Sequence, residues 1–573
     1  MLEPDCPQKV HSISKEKKRA GDNNTTHPFR NAQSHALIVH SPTSTPPKSP
    51  YSPHLTSNLL PFPNKNRKMD AHAHRVHPIA TSVRTYHATR QKFRINHGSS
   101  NSTRNGALKG HQRHTVDTSA LKHVISVDAA NRIAVVEPNV PMDRLVEATL
   151  EHGCVPGVVM EFPGITAGGG YAGTACESSS FKHGYFDRTI RRVEMVLPDG
   201  EVVECSDSEH EDLFHGAAGA LGTLGVVTLV ELRLEPAKRY VETTYHPVSG
   251  VQEAVDKCRE FTSGAYHEGL DYVDGILFSE TSGAIITGRR TDEIPANARV
   301  SRFSGPRDPW FAFHVQERIE GRSEPVTEYI PLPEYLFRYD RGGFWVGKSI
   351  YDFTIIPFNQ TFRALLDSFM HTRMLYAARN AAPINVQFIQ DMAVPYESAV
   401  EFIKFSADRL KIWPIWLCPV KSSATPTLHP HLKGGKEGDA MLNLGIWGSA
   451  HVPTLEYHIE TNQAVERKLE AVGGMKWMYG VNYQCEEDFW RQFDRKWYEG
   501  LRSKYHAEWM PSIFDKAATD PEKVKKLAMG LTLRDVWPFL FPGAVVTCLW
   551  RAWWTGAWRW KKESTWPSWV PRE

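Results

Sequence analysis

Between residues 77 and 236 the apolar positions switch repeatedly between a helical and an alternating period. In VHPIATSVRTYHA, Ile79, Val83 and Tyr86 fall at helical spacing. KFRIN predicts a strand that runs into the turn-rich HGSSNSTRNG. TVDTSALKHVISVD and RIAVVEP are β-branched runs broken by Asp, Asn and Pro, and MDRLVEATLEHG has the spacing of a helix that stops at Gly153. VEMVLPDGEVVEC joins two apolar runs through Pro-Asp-Gly, a hairpin signature. GTLGVVTLVELRLEPA predicts a long strand with one buried face. The order predicts an α+β unit.

Upstream of this unit the pattern stops. Residues 1 to 70 show no period and too little apolar surface to offset chain entropy, so they read as a disordered basic extension. They hold no apolar run long enough for a signal peptide or a membrane helix. Patterning begins directly after Met69, which makes Met69 a candidate start codon. The first 69 residues hold ten Lys and Arg against four Asp and Glu, and ten of the 38 prolines. A net charge of +2 over 573 residues therefore hides a basic tail on a weakly acidic remainder, and nucleic acid is not an expected partner. The eight cysteines form no CxxC pair, which leaves a metal site or a secreted disulfide framework without support and favours a reducing, intracellular setting. Eight of the 17 tryptophans follow residue 536.

Three loops rich in Gly and small polar residues punctuate the α+β unit. The first is His97, Gly98, Ser99, Ser100, Asn101, Ser102, Thr103 and Arg104; the second runs from Pro163 to Ser180; the third runs from Gly216 to Gly225. Small residues let backbone N–H groups converge on an anion, and Gly admits close approach of main chain to a flat ligand. One such loop is most often a tight turn; three in one unit point to a large phosphate-bearing cofactor. Gly168, Gly170 and Gly173 spell GxGxxG, but Phe162-Pro163-Gly164 precedes them and a Ser-rich stretch without an apolar stripe follows. A Rossmann fingerprint needs a strand before and an amphipathic helix after, so that reading is rejected.

The succession HGSSNSTR, VVEPNVPMDRLVEATLEHG, PGITAGGGYAGT, FKHGYFDRTIRRVEMVLPDGEVVECS and DLFHGAAGALGTLGVVTLVEL resembles the FAD-binding domain of the vanillyl-alcohol oxidase, or p-cresol methylhydroxylase, type. GTACESSSFKHGYFD, EPAKRYV, TEYIPLPEYLFRYDRGGFW, QDMAVPYESAVEFI, WPIWLCP and MKWMYGVNYQCEEDFWRQFD narrow the likeness to the Delta(24)-sterol reductase family, over about residues 77 to 515. The resemblance implies an α+β, two-subdomain FAD-binding fold followed by an α+β substrate (cap) domain. The expected divisions are 1–70, the FAD domain 71–236, the cap 237–515 and a Trp-rich tail 516–573.

Under this resemblance the first loop meets the FAD diphosphate, and Thr166 to Ser178 pass along the diphosphate and the isoalloxazine. Expected cofactor-binding residues are His97, Gly98, Ser99, Ser100, Asn101, Ser102, Thr166, Gly168, Gly169, Gly170, Gly173, Thr174, Glu177, Ser178, Lys182, Gly222 and Gly225. Glu177 reads equally as a turn-stabilising residue, and Lys182 matches the family pattern better than His183. Many relatives in the superfamily carry a flavin-linked His where Asn101 stands, so FAD is expected to bind without a covalent link.

The implied activity is NADPH-linked reduction of the C24 side-chain double bond of a sterol, or of a related prenyl-type alkene. Reduced flavin gives hydride from N5 and an acid completes the addition. Tyr479 is the expected donor or donor relay and Tyr339 the second candidate; each is also an ordinary core aromatic by type. Arg338 and Arg341 match basic positions that would meet NADPH phosphates or sit in solvent. Cys176 and Cys418 read as packed apolar residues, since no His partner is indicated. Two other readings share the cofactor domain: an oxidase or dehydrogenase of an alcohol, sugar or hydroxy acid, and a sterol-binding flavoprotein without turnover.

The family's N-terminal membrane helix has no counterpart before residue 77. VWPFLFPGAVVTCLW, broken by Pro538 and Pro542, is too short for a spanning helix, and RAWWTGAWRWKK sets Trp among cations. Residues 536 to 560 therefore read as a membrane-interfacial segment or as a tail packed on the domain. The expected location is the cytoplasm or the endoplasmic reticulum membrane surface.

Overall fold

A computed structural model describes residues 63–98, 114–381, 387–449, 451–452 and 454–530, with 547, 550, 553–554, 556–559 and 564–569 in the tail. The predicted helix around Ile79 is longer than its apolar stripe. Helix α1 runs Pro63–Ala88, with Val76, Ile79, Ala80 and Val83 buried against Phe93, Val116 and Val226. Its polar first turns are held by ion pairs: buried His72 meets Glu137 at 2.8 Å and Glu194 at 3.1 Å, and Arg75 meets Glu137 at 2.7 Å.

Strands β1 (Arg94–Asn96) and β2 (Thr115–Asp117) form a parallel pair. Strands β3 (Val124–Asp128), β4 (Ile133–Val136), β5 (Cys154–Pro156), β6 (Ile190–Val196), β7 (Val202–Ser206) and β8 (Val226–Pro236) build a sheet of order β3-β4-β8-β6-β7, with β5 also pairing β8. The β6–β7 hairpin turns at Gly200, φ +89°, as Pro-Asp-Gly predicts. Helix α2 (Met142–Leu150) buries Met142, Leu145 and Val146 and ends before Gly153, φ +68°.

The chain then enters a second sheet. Strands β9 (Tyr240–Val248), β10 (Tyr272–Ser279), β11 (Ser282–Thr291), β12 (Val326–Pro331), β13 (Gln387–Pro395), β14 (Ile415–Lys421), β15 (Ala440–Ser449) and β16 (Met475–Lys476) take the order β12-β9-β11-β10-β14-β15-β13-β16. Residues of both sheets, from Val136 and Leu232 to Tyr245 and Trp416, belong to one continuous apolar core. The expected division at 515/516 cuts through the helix Ile513–Ala517, and Val524 packs with Ile459 and Tyr483, so the body extends past it. Among the described residues no helix is long and apolar enough to cross a membrane. Of the extension expected to be disordered, 1–70, residues 1–62 lie outside the described residues, whereas 63–70 are not disordered but form the start of helix α1.

Candidate active site

A cavity of about 1060 Å³ is lined by residues from both sheets. Its first wall is the second Gly-rich segment, which is not all loop: Thr166 caps a six-residue helix, Ala167–Ala172, by accepting from the Gly169 N–H at 3.1 Å. Two glycines here are required by close packing. A Cβ at Gly168 would stand 2.6 Å from the Pro138 Cβ, and one at Gly170 would stand 2.6 Å from the Met160 Cε and 2.8 Å from the Phe186 ring.

Arg94, His97 and Lys516 supply basic groups to the lining. Lys516 donates from Nζ to the carbonyls of Leu221 (3.1 Å) and Gly222 (3.2 Å), which pins the third Gly-rich loop to the helix Ile513–Ala517. Phe344, Trp416 and Trp447 form an aromatic wall, with ring centroids 4.4 Å apart for Phe344–Trp447 and 5.7 Å for Trp416–Trp447. Tyr376, Trp477 and Tyr479 also line the space, and the Trp477 indole donates to the Thr174 carbonyl at 2.7 Å.

Three buried acids line this cavity, Glu161, Glu177 and Asp391. Asp391, on β13, accepts from the Tyr479 hydroxyl, from Asn443 Nδ2 at 3.2 Å and from Trp447 Nε1 at 3.2 Å. Burial pushes its carboxyl up to about 6, with the three donors opposing the rise. Glu161 is 3% exposed, and its Oε1 has no hydrogen-bond partner. Burial pushes it up to about 8, with Arg338, 3.6 Å away, opposing.

Of the expected cofactor residues, His97, Thr166, Gly168, Gly169, Gly173, Glu177, Gly222 and Gly225 line the cavity. Ser99, Ser100, Asn101 and Ser102 lie outside the described residues. Gly98, which is exposed, and Gly170, Thr174 and Ser178 are not in the lining; Ser178 Oγ accepts from Arg338 at 3.2 Å. Lys182 is not on the wall either, because its ammonium pairs with Asp271 at 3.2 Å. Tyr479 is on the cavity. Tyr339 is behind it: its ring stacks on Phe344 at 3.9 Å and its hydroxyl donates to Asp274 at 2.7 Å.

Of the two readings of Arg338 and Arg341, the solvated one fails. Each is 2% exposed, so neither is a surface arginine. Arg338 pairs with Asp274 at 3.1 Å and stacks on Tyr335 and Tyr339; Arg341 pairs with Asp367 at 2.9 Å and donates to the Pro306 and Asp308 carbonyls. Cys176 lines the cavity and Cys418 is buried, and burial pushes both thiols up, away from nucleophile chemistry. Glu161, Asp391 and Lys516 were not expected from the sequence. The signal for the first two was a lone acid inside an apolar run, in VVMEFPG and in QFIQDMAVP.

An FAD binding domain family model matches residues 71–206. The chain is 32% identical over 401 residues to the Delta(24)-sterol reductase of Macaca fascicularis and to that of Homo sapiens, covering 69% of this chain and 76% of each relative. It is 29% identical over 443 residues to the Delta(24)-sterol reductase of Pisum sativum, covering 70% and 76%. The lining suits FAD: basic Arg94 and His97 for a diphosphate, Gly169 and Gly173 for close approach of a flat ring system, and at Glu161 a buried carboxyl whose Oε1 has no hydrogen-bond partner. The fold is α+β with an FAD-binding domain, and the chain belongs to the Delta(24)-sterol reductase family of FAD-linked oxidoreductases.

Proposed function

We propose that this protein is an NADPH-linked, FAD-dependent reductase of the side-chain C24 double bond of a sterol. The observation that carries the reading is one cavity in which the Gly-rich wall of the FAD domain faces an aromatic slot holding a Tyr–Asp pair. Similarity to Delta(24)-sterol reductases extends beyond the matched cofactor domain and supports the same substrate class.

Bound FAD, once reduced, supplies hydride to one carbon of the alkene. The protein supplies the rest. Phe344, Trp416 and Trp447 enclose an apolar side chain and exclude water. Tyr479 passes its hydroxyl proton to the other alkene carbon and takes the proton that Asp391 holds, so the pair ends as a carboxylate accepting from a tyrosine. Asn443 and Trp447 hold Asp391 in position for that exchange. Tyr339 acts through Phe344, as a positioning residue.

Access from an intracellular membrane surface is part of the proposal. Trp550, Trp553 and Trp554 are exposed, while Trp558 packs on Met374 and Ala377 of the helix Thr372–Ala381. That helix lends Thr372, Leu375 and Tyr376 to the cavity lining. Exposed indoles beside the substrate wall suit contact with headgroups.

Purified protein given NADPH and a panel of unsaturated sterols, with products identified by mass spectrometry, is expected to saturate C24 alone. FAD is expected to be released into the supernatant on acid precipitation, as a non-covalent link requires. A panel with no saturated product would contradict the reading.

A further inference from the structure

Glu161 sits at the entrance to the second Gly-rich segment, on the cavity wall, with 3% of its surface exposed; its Oε1 has no hydrogen-bond partner and lies 3.6 Å from Arg338. The charges around it decide its state. Arg338 is the cation nearest it, at 3.6 Å, but its guanidinium is already committed to Asp274 at 3.1 Å, to Ser178 Oγ at 3.2 Å and to the Tyr335 carbonyl at 2.9 Å. Asp274 also accepts from Tyr339 (2.7 Å) and Trp416 (3.0 Å), so it is Arg338's ion-pair partner inside the protein. The Arg338–Asp274 pair is therefore neutral as a unit, and an ionised Glu161 would add an uncompensated buried charge. The other titratable groups facing this cluster, Tyr335, Tyr339, Cys176 and Cys418, are held neutral by burial and offer no second cation.

We propose that Glu161 is a neutral carboxylic acid whose proton, unclaimed by the protein, is donated to an acceptor atom of the flavin ring, and that it thereby sets the ease of flavin reduction. A hydrocarbon side chain offers no acceptor, whereas a flavin presents ring nitrogens and carbonyls. The donor favours the reduced ring because reduction places negative charge there, in a site where low dielectric strengthens the bond. The acid keeps its proton throughout, so it does not compete with the Tyr479–Asp391 pair. The upward displacement of the Glu161 carboxyl to about 8 agrees with the geometry. The proposal rests on the reading of this cavity as the flavin site.

Two measurements test it. Infrared spectra of apo-protein at pH 7 are expected to contain a protonated-carboxyl band that is lost in Glu161→Gln and that fades as pH passes about 8. In the FAD-loaded protein, the flavin midpoint potential is expected to fall in Glu161→Leu, which cannot donate, and to stay near wild type in Glu161→Gln, which can. Identical infrared spectra for wild type and Glu161→Gln, or an unmoved potential in Glu161→Leu, would overturn it. Wild-type protein that keeps the band but takes up no FAD would overturn the flavin reading instead.

Discussion

The hydroxyl of Tyr479 donates to Asp391, and these two residues, 88 positions apart in sequence, meet on the wall of one cavity. Burial raises the Asp391 carboxyl to about 6 against the pull of three donors, so its proton-bearing fraction falls as pH rises through that value. The proton-bearing form is the one able to recharge Tyr479. The rate of the sterol half-reaction is therefore expected to decline as pH rises above about 6. Tyr479→Phe and Asp391→Asn should each slow that half-reaction by about 10²- to 10⁴-fold. Stopped-flow absorbance reads this directly, with NADPH-driven bleaching of the flavin as the internal control.

His72 anchors helix α1 to the six-stranded sheet through Glu137 and Glu194. Burial opposes its charge, but hydrogen bonds to the two carboxylates outweigh burial and lift it from 6.5 to about 9. A raised value means the folded state holds the proton more tightly than the unfolded one. The stabilisation, about 2 to 3 kcal/mol, is complete below pH 6.5 and is lost as pH rises through about 9. Melting temperatures measured between pH 6.5 and 10 should fall with pH in wild type and fall less in His72→Gln.

Arg338 distinguishes a buried clamp from a phosphate-binding arginine. Arg338→Lys keeps the charge but loses the fork that spans Asp274 and Ser178. Thermal stability should drop while the KM for NADPH stays close to wild type. A raised KM with unchanged stability would return this residue to the nucleotide.

The tail divides into docked and exposed tryptophans. Trp566 is 2% exposed and its ring lies 5.0 Å from Phe337, with Thr565 and Trp566 N–H groups bonded to Glu147. Trp566→Ala is expected to cost about 3 to 5 kcal/mol. Trp554→Ala, at a site 67% exposed, should change stability by less than about 0.5 kcal/mol yet weaken pelleting with liposomes. Equal pelleting of the Trp554 variant and wild type would count against membrane contact through this cluster.

Local signals in the chain were readable where local chemistry decides the structure. Pro-Asp-Gly sets the β6–β7 turn, and the stripe Met142, Leu145, Val146 sets helix α2. Signals failed where a distant residue decides. The first turns of helix α1 are polar, and only Glu137 and Glu194 explain why His72 is helical and buried. Arg338 and Arg341 read as phosphate-binding or solvated arginines until Asp274 and Asp367 are seen to hold them inside. Gly170 reads as ligand-facing, whereas Met160 and Phe186 occupy the space beside it. For Glu161 and Asp391 a lone acid in an apolar run signals burial, but the shared cavity is set by residues distant in sequence.

The proposed reaction needs a single flavin, held by this cavity, that would be reduced by NADPH and reoxidised by a sterol alkene. An anaerobic titration in a sealed cuvette tests it most directly. NADPH should bleach the flavin absorbance, and a 24-unsaturated sterol added afterwards should restore it while its C24-saturated counterpart does not. A flavin left yellow by NADPH and bleached by a hydroxylated substrate would contradict the account and assign the protein to the oxidase class.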